Sequence, residues 1–160
     1  MSFTLGPRPA HVSLLLDTNV LNDWRFGKAY VVSGLDEYLS IVKAPPALAS
    51  VTVFEVLHGF QKVIATMETV DERTKAGMEK IQQLIAACIV LPFDQQGAEI
   101  AAYIFPRLSR SERAKHWADV LIASTAIAHN RGIVTRNKTD FALIGKHAPP
   151  STVLRIEVWG

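Results

Sequence analysis

Short apolar runs alternate with longer stretches of helical periodicity along this chain. The runs that we predict to be strands are Val12–Leu16, Ala47–Ala49, Ala87–Pro92, Gly132–Thr135 and Val153–Trp159. Ten or more residues separate consecutive runs, so these strands cannot pair as hairpins and need right-handed crossover connections. The sequence therefore predicts an α/β fold, a single-domain three-layer α/β/α arrangement with a mostly parallel central sheet.

Five segments between these runs are predicted to be helices. Ser50 to about Met67 has apolar residues at helical spacing, and Ala118–Asn130 is the clearest helix, ended by Arg131 and Gly132. The remaining helices are predicted at Val20–Trp24, Glu68–Ala87 and Gln95 to about Leu108. In an open parallel sheet the functional crevice lies beyond the carboxyl ends of the strands. The residues that follow each strand are therefore the first candidates for a functional site.

The composition is that of a folded, soluble protein. Of the 160 residues, 49% are hydrophobic and 20% are charged, which excludes a disordered chain. We predict one domain over residues 1–160, with residues 1–11 as an N-terminal extension. The lone Cys88 cannot close an intrachain disulfide. No apolar stretch approaches the roughly 20 residues of a membrane-spanning helix, so a cytoplasmic protein without membrane contact is expected.

Four acidic residues map to the carboxyl ends of predicted strands or to the first turns of the helices that follow. They are Asp17, Glu55, Asp119 and Asp140. Oxygen-only ligands, without a histidine or cysteine pair at zinc spacing, suit Mg²⁺ or Mn²⁺. Several carboxylates at one edge of a sheet repel one another unless a cation is present. Asn137 could supply a further oxygen ligand, and such a pocket suits phosphodiester hydrolysis.

Each of these acids also has a purely structural explanation. Asp17 is a good helix N-cap, and Thr52 with Glu55 has the spacing of a capping box. Asp119 would be favoured in the first turn of its helix by the helix dipole, and Asp140 could be a turn or capping residue. Capping explains each acid singly, but it does not explain why all of them fall at the same edge of the sheet.

Two basic clusters could border this edge. The formal net charge is only +2, so charge alone does not predict a nucleic-acid partner. Arg110 and Arg113 lie in the segment 107–116, and Arg136 and Lys138 lie after the Gly132–Thr135 strand. Such clusters are usually solvated surface, and they bind RNA only if they border the catalytic cleft. His58 and His116 each lie three residues from a candidate acid, and neither is assigned a catalytic role.

Four motifs in order resemble a known family. They are Leu-Leu-Asp17-Thr-Asn19-Val-Leu, Ser50-x-x-x-x-Glu55-x-x-x-Gly59, Ala118-Asp119-x-x-Ile122-Ala123-x-x-Ala126 and Val134-Thr-Arg-Asn137-x-x-Asp140-Phe. Together they resemble the PIN domain, and most of all the VapC and FitB type of bacterial toxin–antitoxin nuclease. The resemblance extends from Leu14 to about Phe141.

This resemblance implies a parallel α/β sheet and Mg²⁺- or Mn²⁺-dependent cleavage of single-stranded RNA. It also implies a cognate antitoxin that blocks the site, and it makes a homodimer the expected assembly. The residues that match the core acids of the family are Asp17, Glu55 and Asp119, with either Asn137 or Asp140 in the fourth position. Thr18 and Asn19 match polar residues of the first motif, and Thr135 matches a hydroxyl close to the site.

The sequence therefore favours a metal-dependent endoribonuclease, with RNA backbone contacts from Arg136, Lys138 or the cluster that contains Arg110 and Arg113. A second hypothesis keeps the fold and replaces catalysis by RNA or antitoxin binding, with inhibition by occupancy. A phosphatase or nucleotide-binding domain is disfavoured. The first motif lacks a second aspartate two residues after Asp17, and the chain has no glycine-rich phosphate loop.

Overall fold

A five-stranded sheet forms the centre of the molecule in the computed structural model, which describes residues 13–159. All four strand pairs are parallel, and the strand order is β3-β2-β1-β4-β5. The predicted three-layer α/β/α fold is confirmed, and the sheet is wholly parallel within the described residues. The strands are β1 (Leu14–Leu16), β2 (Ala47–Ala49), β3 (Ile89–Leu91), β4 (Gly132–Thr135) and β5 (Ile156–Val158).

Helices cover both faces of this sheet. The helices are α1 (Thr18–Arg25), α2 (Ala29–Val42), α3 (Ser50–Ile64), α4 (Glu72–Ala86), α5 (Gln95–Ile104), α6 (Arg110–Ala128) and α7 (Lys138–Lys146), with a short 3-10 turn at Phe105–Arg107 between α5 and α6. Since each crossover contains at least one helix, the strands are joined as the sequence predicts.

The three leucines of β1 show how the two faces are filled. Side chains alternate between the faces of a strand, so Leu15 packs into the cluster of buried residues from α5, α6 and α7. Leu14 and Leu16 pack into the opposite cluster, which contains buried residues from α1, α2, α3 and α4. A strand that is buried on both faces needs this continuous apolar run, which is why it is so clear in the sequence.

The carboxyl ends of β1 and β4 mark the point where the strand order changes direction. From β1 the chain crosses to β2 and β3 on one side, and then to β4 and β5 on the other. The register pairs Leu16 with Val134, so Asp17 and Thr135 lie side by side at this edge. This is the position at which open α/β sheets bind their ligands.

Helix α2 has no counterpart among the predicted elements. It buries a single stripe, Val31, Leu35 and Tyr38, and its remaining surface is largely exposed. Gly34 lies against the ring of Trp159, where a Cβ atom would approach the ring to 2.5 Å. This helix was not predicted because its stripe is narrow and because its packing partner, Trp159, lies at the other end of the chain.

Helix α6 begins much earlier than the predicted helix at Ala118–Asn130. Ser109 and Glu112 form a complete capping box at its start, in which each side chain accepts a hydrogen bond from the other residue's backbone N–H. The helix is kinked at His116, whose backbone angles are φ −113° and ψ 17°. Asp119 therefore lies in the first turn after the kink, as predicted from a helix start at Ala118, although α6 as a whole begins at Arg110.

The predicted N-terminal extension at residues 1–11 and the first residue of the predicted strand Val12–Leu16 lie outside the described residues. Within residues 13–159, no helix is both long enough and apolar enough to cross a membrane.

Candidate metal centre

Asp17 combines a structural role with a position at the sheet edge. It is the N-cap of α1, and its Oδ1 accepts a hydrogen bond of 2.7 Å from the backbone N–H of Thr18. Its Oδ2 accepts a hydrogen bond of 2.9 Å from the hydroxyl of Thr135 on β4. Asp17 is only 2% exposed. Asp17 therefore caps α1 and also lies at the carboxyl edge of the sheet, next to β4.

The burial of Asp17 leaves its negative charge poorly compensated. The pKa of Asp17 is raised to about 6. Burial is the main cause, and the charges of Asp119 and Glu55 add to it, against the hydrogen bonds from Thr135 and Thr18. Burial also raises the pKa of Glu55 and of Asp119. Since the buried Asp17 and the partly buried Glu55 and Asp119 lie within electrostatic range of one another, a bound cation would stabilise their ionised forms.

Glu55 does not form the capping box that the sequence suggests. Helix α3 begins at Ser50, and its N-cap Ala49 makes no side-chain capping bond, so Glu55 lies in the second turn. Its Oε1 accepts a hydrogen bond of 2.7 Å from the hydroxyl of Thr18. Thr52 is fully buried and lies 3.3 Å from the same hydroxyl. Capping is therefore the wrong explanation for Glu55, whose carboxylate is held at the site from α1.

His116 joins Asp119 and Asp140 in a second group. Its Nδ1 lies 3.3 Å from Oδ2 of Asp119 and 3.6 Å from Oδ2 of Asp140. Nitrogen and carboxylate oxygen atoms of these three residues all lie within 4.8 Å of one another, a spacing that could hold a metal ion. His116 is buried, and the kink in α6 occurs at this residue. From the sequence, His116 has no assigned catalytic role, and only its spacing of three residues from Asp119 points to one.

Asn137 and Asp140 are bonded to each other at the start of α7. Asn137 is the N-cap of α7, and its Oδ1 accepts from the backbone N–H of Asp140 at 3.4 Å. Its side-chain amide donates to Oδ2 of Asp140. The backbone N–H of Asn137 also donates to the hydroxyl of Thr135 at 2.8 Å. A chain of hydrogen bonds therefore connects Asp17, through Thr135 and Asn137, to Asp140.

The structure brings together most of the predicted site residues. Asn19 is the exception: it is exposed on α1, and within residues 13–159 no hydrogen bond joins it to the acids. The electrostatic contacts link Asp17 to Asp119 and Glu55, and Asp119 to Asp140. The four acids therefore form one connected cluster at the carboxyl edge of the sheet.

This cluster fits a divalent cation. Its donors are carboxylate oxygens with hydroxyl and amide oxygens close by, which is the set that Mg²⁺ and Mn²⁺ prefer. One imidazole nitrogen is added by His116, and nitrogen is better tolerated by Mn²⁺ than by Mg²⁺. The raised pKa of the buried Asp17 carboxyl is the signature of a charge that the protein alone does not balance.

The predicted basic residues have different surroundings. Arg136 is ion-paired through its Nε with Asp23 at 2.9 Å, and Arg113 donates to the backbone carbonyl of Leu108 at 2.7 Å. Arg110 is exposed in the first turn of α6, and Lys138 is exposed in the first turn of α7. Arg113 therefore stabilises the start of α6. Asp23, the ion-pair partner of Arg136, was not predicted from the sequence.

An open groove of about 720 Å³ begins at this cluster and runs between α1, α3 and α4. Thr18 and Glu55 line its inner end, and its walls carry the cationic side chains of Arg25, Arg73 and Lys80. The guanidinium of Arg25 lies over the rings of Phe26 and Phe60, at 4.3 and 5.0 Å from the ring centroids. The groove therefore presents positive charge and aromatic surface next to the acidic cluster.

Comparisons with known proteins agree with this architecture. VapBC2 from Rickettsia felis, solved with a promoter DNA fragment, shares 20% identity over 92% of this chain and 98% of its own, with a TM-score of 0.67. FitAcB from Neisseria gonorrhoeae shares 26% identity over 89% and 95% of the two chains, with a TM-score of 0.57.

VapBC-5 from Mycobacterium tuberculosis, a member of the VapBC family of toxin–antitoxin systems, shares 21% identity over 92% of this chain and 97% of its own, with a TM-score of 0.53. No curated protein matches the sequence. The family comparison matches residues 14–146 to the PIN domain, and this range contains every candidate acid. The resemblance seen in the four motifs is confirmed, and the chain belongs to the PIN domain family.

Proposed function

We propose that this protein is a metal-dependent endoribonuclease and the toxin of a toxin–antitoxin pair. The observation that carries the proposal is the convergence of four carboxylates at the point where the strand order reverses, with the pKa of buried Asp17 raised to about 6. A structural role does not account for a buried carboxylate whose charge is opposed by two others.

Asp17, Glu55 and Asp119 are the proposed ligands of the ion. We assign the fourth position to Asp140, because the amide of Asn137 is bonded to Asp140 and the side chain of Asn137 caps α7. A divalent cation at this place supplies water activation and neutralises the charge that develops on the phosphate. Thr18 and Thr135 hold the carboxylates of Glu55 and Asp17 in place through their hydroxyls.

Single-stranded RNA is the proposed substrate. A nuclease must bind a polyanion next to a cluster of acids, so cations have to border the site. Arg136 follows Thr135 directly, and the groove with Arg25, Arg73 and Lys80 opens at Thr18 and Glu55. Cationic and aromatic side chains together suit an unpaired strand, since exposed bases can stack on the rings.

An antitoxin protein and a second copy of this chain are the proposed protein partners. Support comes from the fold, which the chain shares with proteins solved as VapBC and FitAB complexes. The groove also offers apolar surface for a peptide, because Phe26 is 66% exposed at its rim. A bound antitoxin segment would cover Thr18 and Glu55 and thereby block the cluster.

The direct experiment is cleavage of a labelled single-stranded RNA with Mg²⁺ or Mn²⁺ by the wild type and by the Asp17→Ala and Asp119→Ala variants. We expect metal-dependent cleavage by the wild type and its loss in both variants. Equal activity in all three proteins would contradict the assignment. Asp36→Asn is a suitable control, because Asp36 is exposed on α2 and lies outside the cluster.

Growth inhibition separates catalysis from inhibition by occupancy. Expression of the wild type without an antitoxin should arrest growth, and Asp119→Asn should remove the arrest, because this variant lacks one ligand charge but keeps the fold. Full toxicity of Asp119→Asn would favour a non-catalytic RNA-binding module. A short neighbouring reading frame for a DNA-binding protein would identify the antitoxin.

A further inference from the structure

Arg136 lies between two residues that are hydrogen-bonded to acids of the cluster. Its neighbour Thr135 donates to Asp17, and its neighbour Asn137 is bonded to Asp140. The position of Arg136 along the chain therefore fixes its backbone at the cluster, whereas its long side chain could adopt many rotamers. Ordering such a side chain costs conformational entropy, so a contact that orders it in advance strengthens any later binding.

A buried carboxylate supplies this contact. Asp23, on α1, is only 8% exposed, and its Oδ2 lies 2.9 Å from Nε of Arg136. The same oxygen accepts a hydrogen bond from the hydroxyl of Tyr30 on α2. Burial and the neighbouring Asp23 raise the pKa of Tyr30 to about 12, so the phenol keeps its proton and remains a donor. Asp23 is therefore held from two sides.

The ion pair uses only one edge of the guanidinium. An arginine has five N–H donors in a planar fork, and Nε carries one of them. Within residues 13–159 the structure gives Arg136 no hydrogen bond or ion pair other than the one to Asp23. Its side chain is 52% exposed. Both terminal nitrogens are thus available for a bidentate contact with two oxygens of a phosphate.

Asp23, Tyr30 and Arg136 lie close to the acidic cluster. Arg136 directly follows Thr135, whose hydroxyl donates to Asp17, and directly precedes Asn137, whose amide donates to Asp140. The charge of Asp17 also contributes to the raised pKa of Tyr30. An anion bound at the cluster and one bound at Arg136 would therefore be close neighbours, as adjacent phosphates of a nucleic-acid strand are.

We propose that Asp23, together with Tyr30, is a positioning residue that orients Arg136 as a clamp for a backbone phosphate of the RNA next to the scissile one. This inference rests on the proposed function and adds to it the residues that hold the substrate in register. Within residues 13–159, the hydrogen bond and the ion pair of the Asp23 side chain join it to Tyr30 and Arg136, and neither is made to an acid of the cluster.

For Asp23→Asn, the proposed positioning role and a simple effect of net charge predict opposite changes in RNA affinity. Asp23→Asn removes a negative charge near the site, so a purely electrostatic account predicts tighter RNA binding. If Asp23 orients Arg136, the same substitution weakens binding, because the guanidinium loses its charged partner. Asp36→Asn is the matched control: it makes the same charge change on α2, and Asp36 is exposed.

The test measures binding of a labelled single-stranded RNA with Ca²⁺ in place of Mn²⁺, followed by cleavage kinetics with Mn²⁺. We expect Asp23→Asn to raise Kd and KM about tenfold, because the guanidinium is no longer held by a charged partner. Arg136→Lys keeps the positive charge but lacks the planar N–H donors of the guanidinium, and its KM should rise to a similar extent. For both variants kcat and the affinity for Mn²⁺ should stay within about twofold of the wild-type values.

Three outcomes would overturn the inference. The first is an Asp23→Asn variant that binds RNA as tightly as Asp36→Asn or more tightly. The second is an Arg136→Lys variant with unchanged KM, a result that can be obtained even if Asp23→Asn fails to fold, because Arg136 is half exposed. The third is a wild type that neither binds nor cleaves RNA, which would overturn the proposed function as well. The first two leave the proposed function intact.

Discussion

The two halves of the acidic cluster are stabilised by different chemistry. In the half around the buried Asp17, called the buried half, Asp17 and the partly exposed Glu55 are held by the hydroxyls of Thr135 and Thr18. In the outer half, Asp119 and Asp140 are held by nitrogen groups, the imidazole of His116 and the amide of Asn137. Neutral hydroxyls orient a carboxylate but do not balance its charge.

This difference indicates where a cation matters most. Asp17 is 2% exposed and its pKa is raised to about 6, whereas the side chains of Asp119 and Asp140 are 29% and 19% exposed. Solvent and His116 moderate the charge of the outer half. Buried Asp17 has neither beside it, so a cation bound between the carboxylates would balance its charge. In this arrangement, metal binding and the balance of charge at Asp17 would be the same event.

The largest effect is expected from substitution in the buried half. Asp17→Asn retains a side-chain oxygen that can cap α1, but it removes the central ligand charge. RNA cleavage should therefore fall at least about 100-fold in a Mn²⁺ assay. Asp94→Asn is the matched control. Asp94 also caps the helix that follows a strand, through the backbone N–H of Gly97 at 2.9 Å, but it lies outside the cluster. Its cleavage rate should stay near that of the wild type.

The stability of the metal-free protein should depend on pH through Asp17. The folded-state pKa of about 6 lies above the ordinary value of 3.8, so the folded state binds more protons between these values. Stability is therefore highest below about pH 4 with respect to this group and falls as the pH rises to 6, by about 3 kcal/mol. Urea unfolding at several pH values measures this slope.

Asp17→Asn is the control for this pH dependence. Its free energy of unfolding should lack most of the fall between pH 4 and 6, and the metal-free variant should be more stable than the wild type at pH 7. A wild type whose stability rises over this interval would show that the charge of Asp17 is balanced within the protein itself. Saturating Mn²⁺ should stabilise the wild type at pH 7 and should leave Asp17→Asn nearly unchanged.

A smaller loss is expected from His116→Phe in the outer half. The phenyl ring fills much of the same buried space but cannot contact the oxygens of Asp119 and Asp140, so cleavage should fall about 10- to 100-fold. His58→Phe is the control, because His58 is exposed on α3 and stacks on Phe54. If His116→Phe and His58→Phe had equal rates, the imidazole would have no part in the outer half.

The smallest effect is expected from Asn137→Ala. It removes the cap of α7 and the amide that is bonded to Asp140, which should lower the free energy of unfolding by about 1 kcal/mol. Asp71→Ala removes a comparable cap of α4, where Asp71 accepts from Thr74 at 2.7 Å, and should cost a similar amount. Only Asn137→Ala should also reduce Mn²⁺ affinity. Equal affinities would show that Asn137 acts on the helix alone.

The sequence was sufficient to predict the layers of the fold and the edge at which the site lies. Continuous apolar runs such as Leu14–Leu16 are required by strands that are buried on both faces, and their separation required a parallel sheet. The position of Asp17 followed from this arrangement. Asp17 both caps α1 and lies in the acidic cluster. The combination could not be predicted from the sequence, because the donor Thr135 belongs to a strand that is distant along the chain.

The remaining site residues depend on tertiary contacts that leave no local pattern. Glu55 has the spacing of a capping box, but α3 begins at Ser50, and the hydroxyl of Thr18 occupies its carboxylate instead. His116 lies in the middle of α6, at the kink of this helix. The predicted helix begins only after this kink, at Ala118, and therefore leaves His116 out. Asp23 has no local signal at all, since its partner Arg136 follows β4.

Mn²⁺ binding measured by electron paramagnetic resonance tests the central claim most directly. The wild type, Asp17→Asn, Asp119→Asn and the control Asp94→Asn are titrated with Mn²⁺ at pH 7, and the free ion is quantified from its signal. We predict that the wild type and Asp94→Asn bind Mn²⁺ with the same affinity and that the two cluster variants lose it. Equal binding by all four proteins, or no binding by the wild type, would contradict the claim that these carboxylates form a cation site.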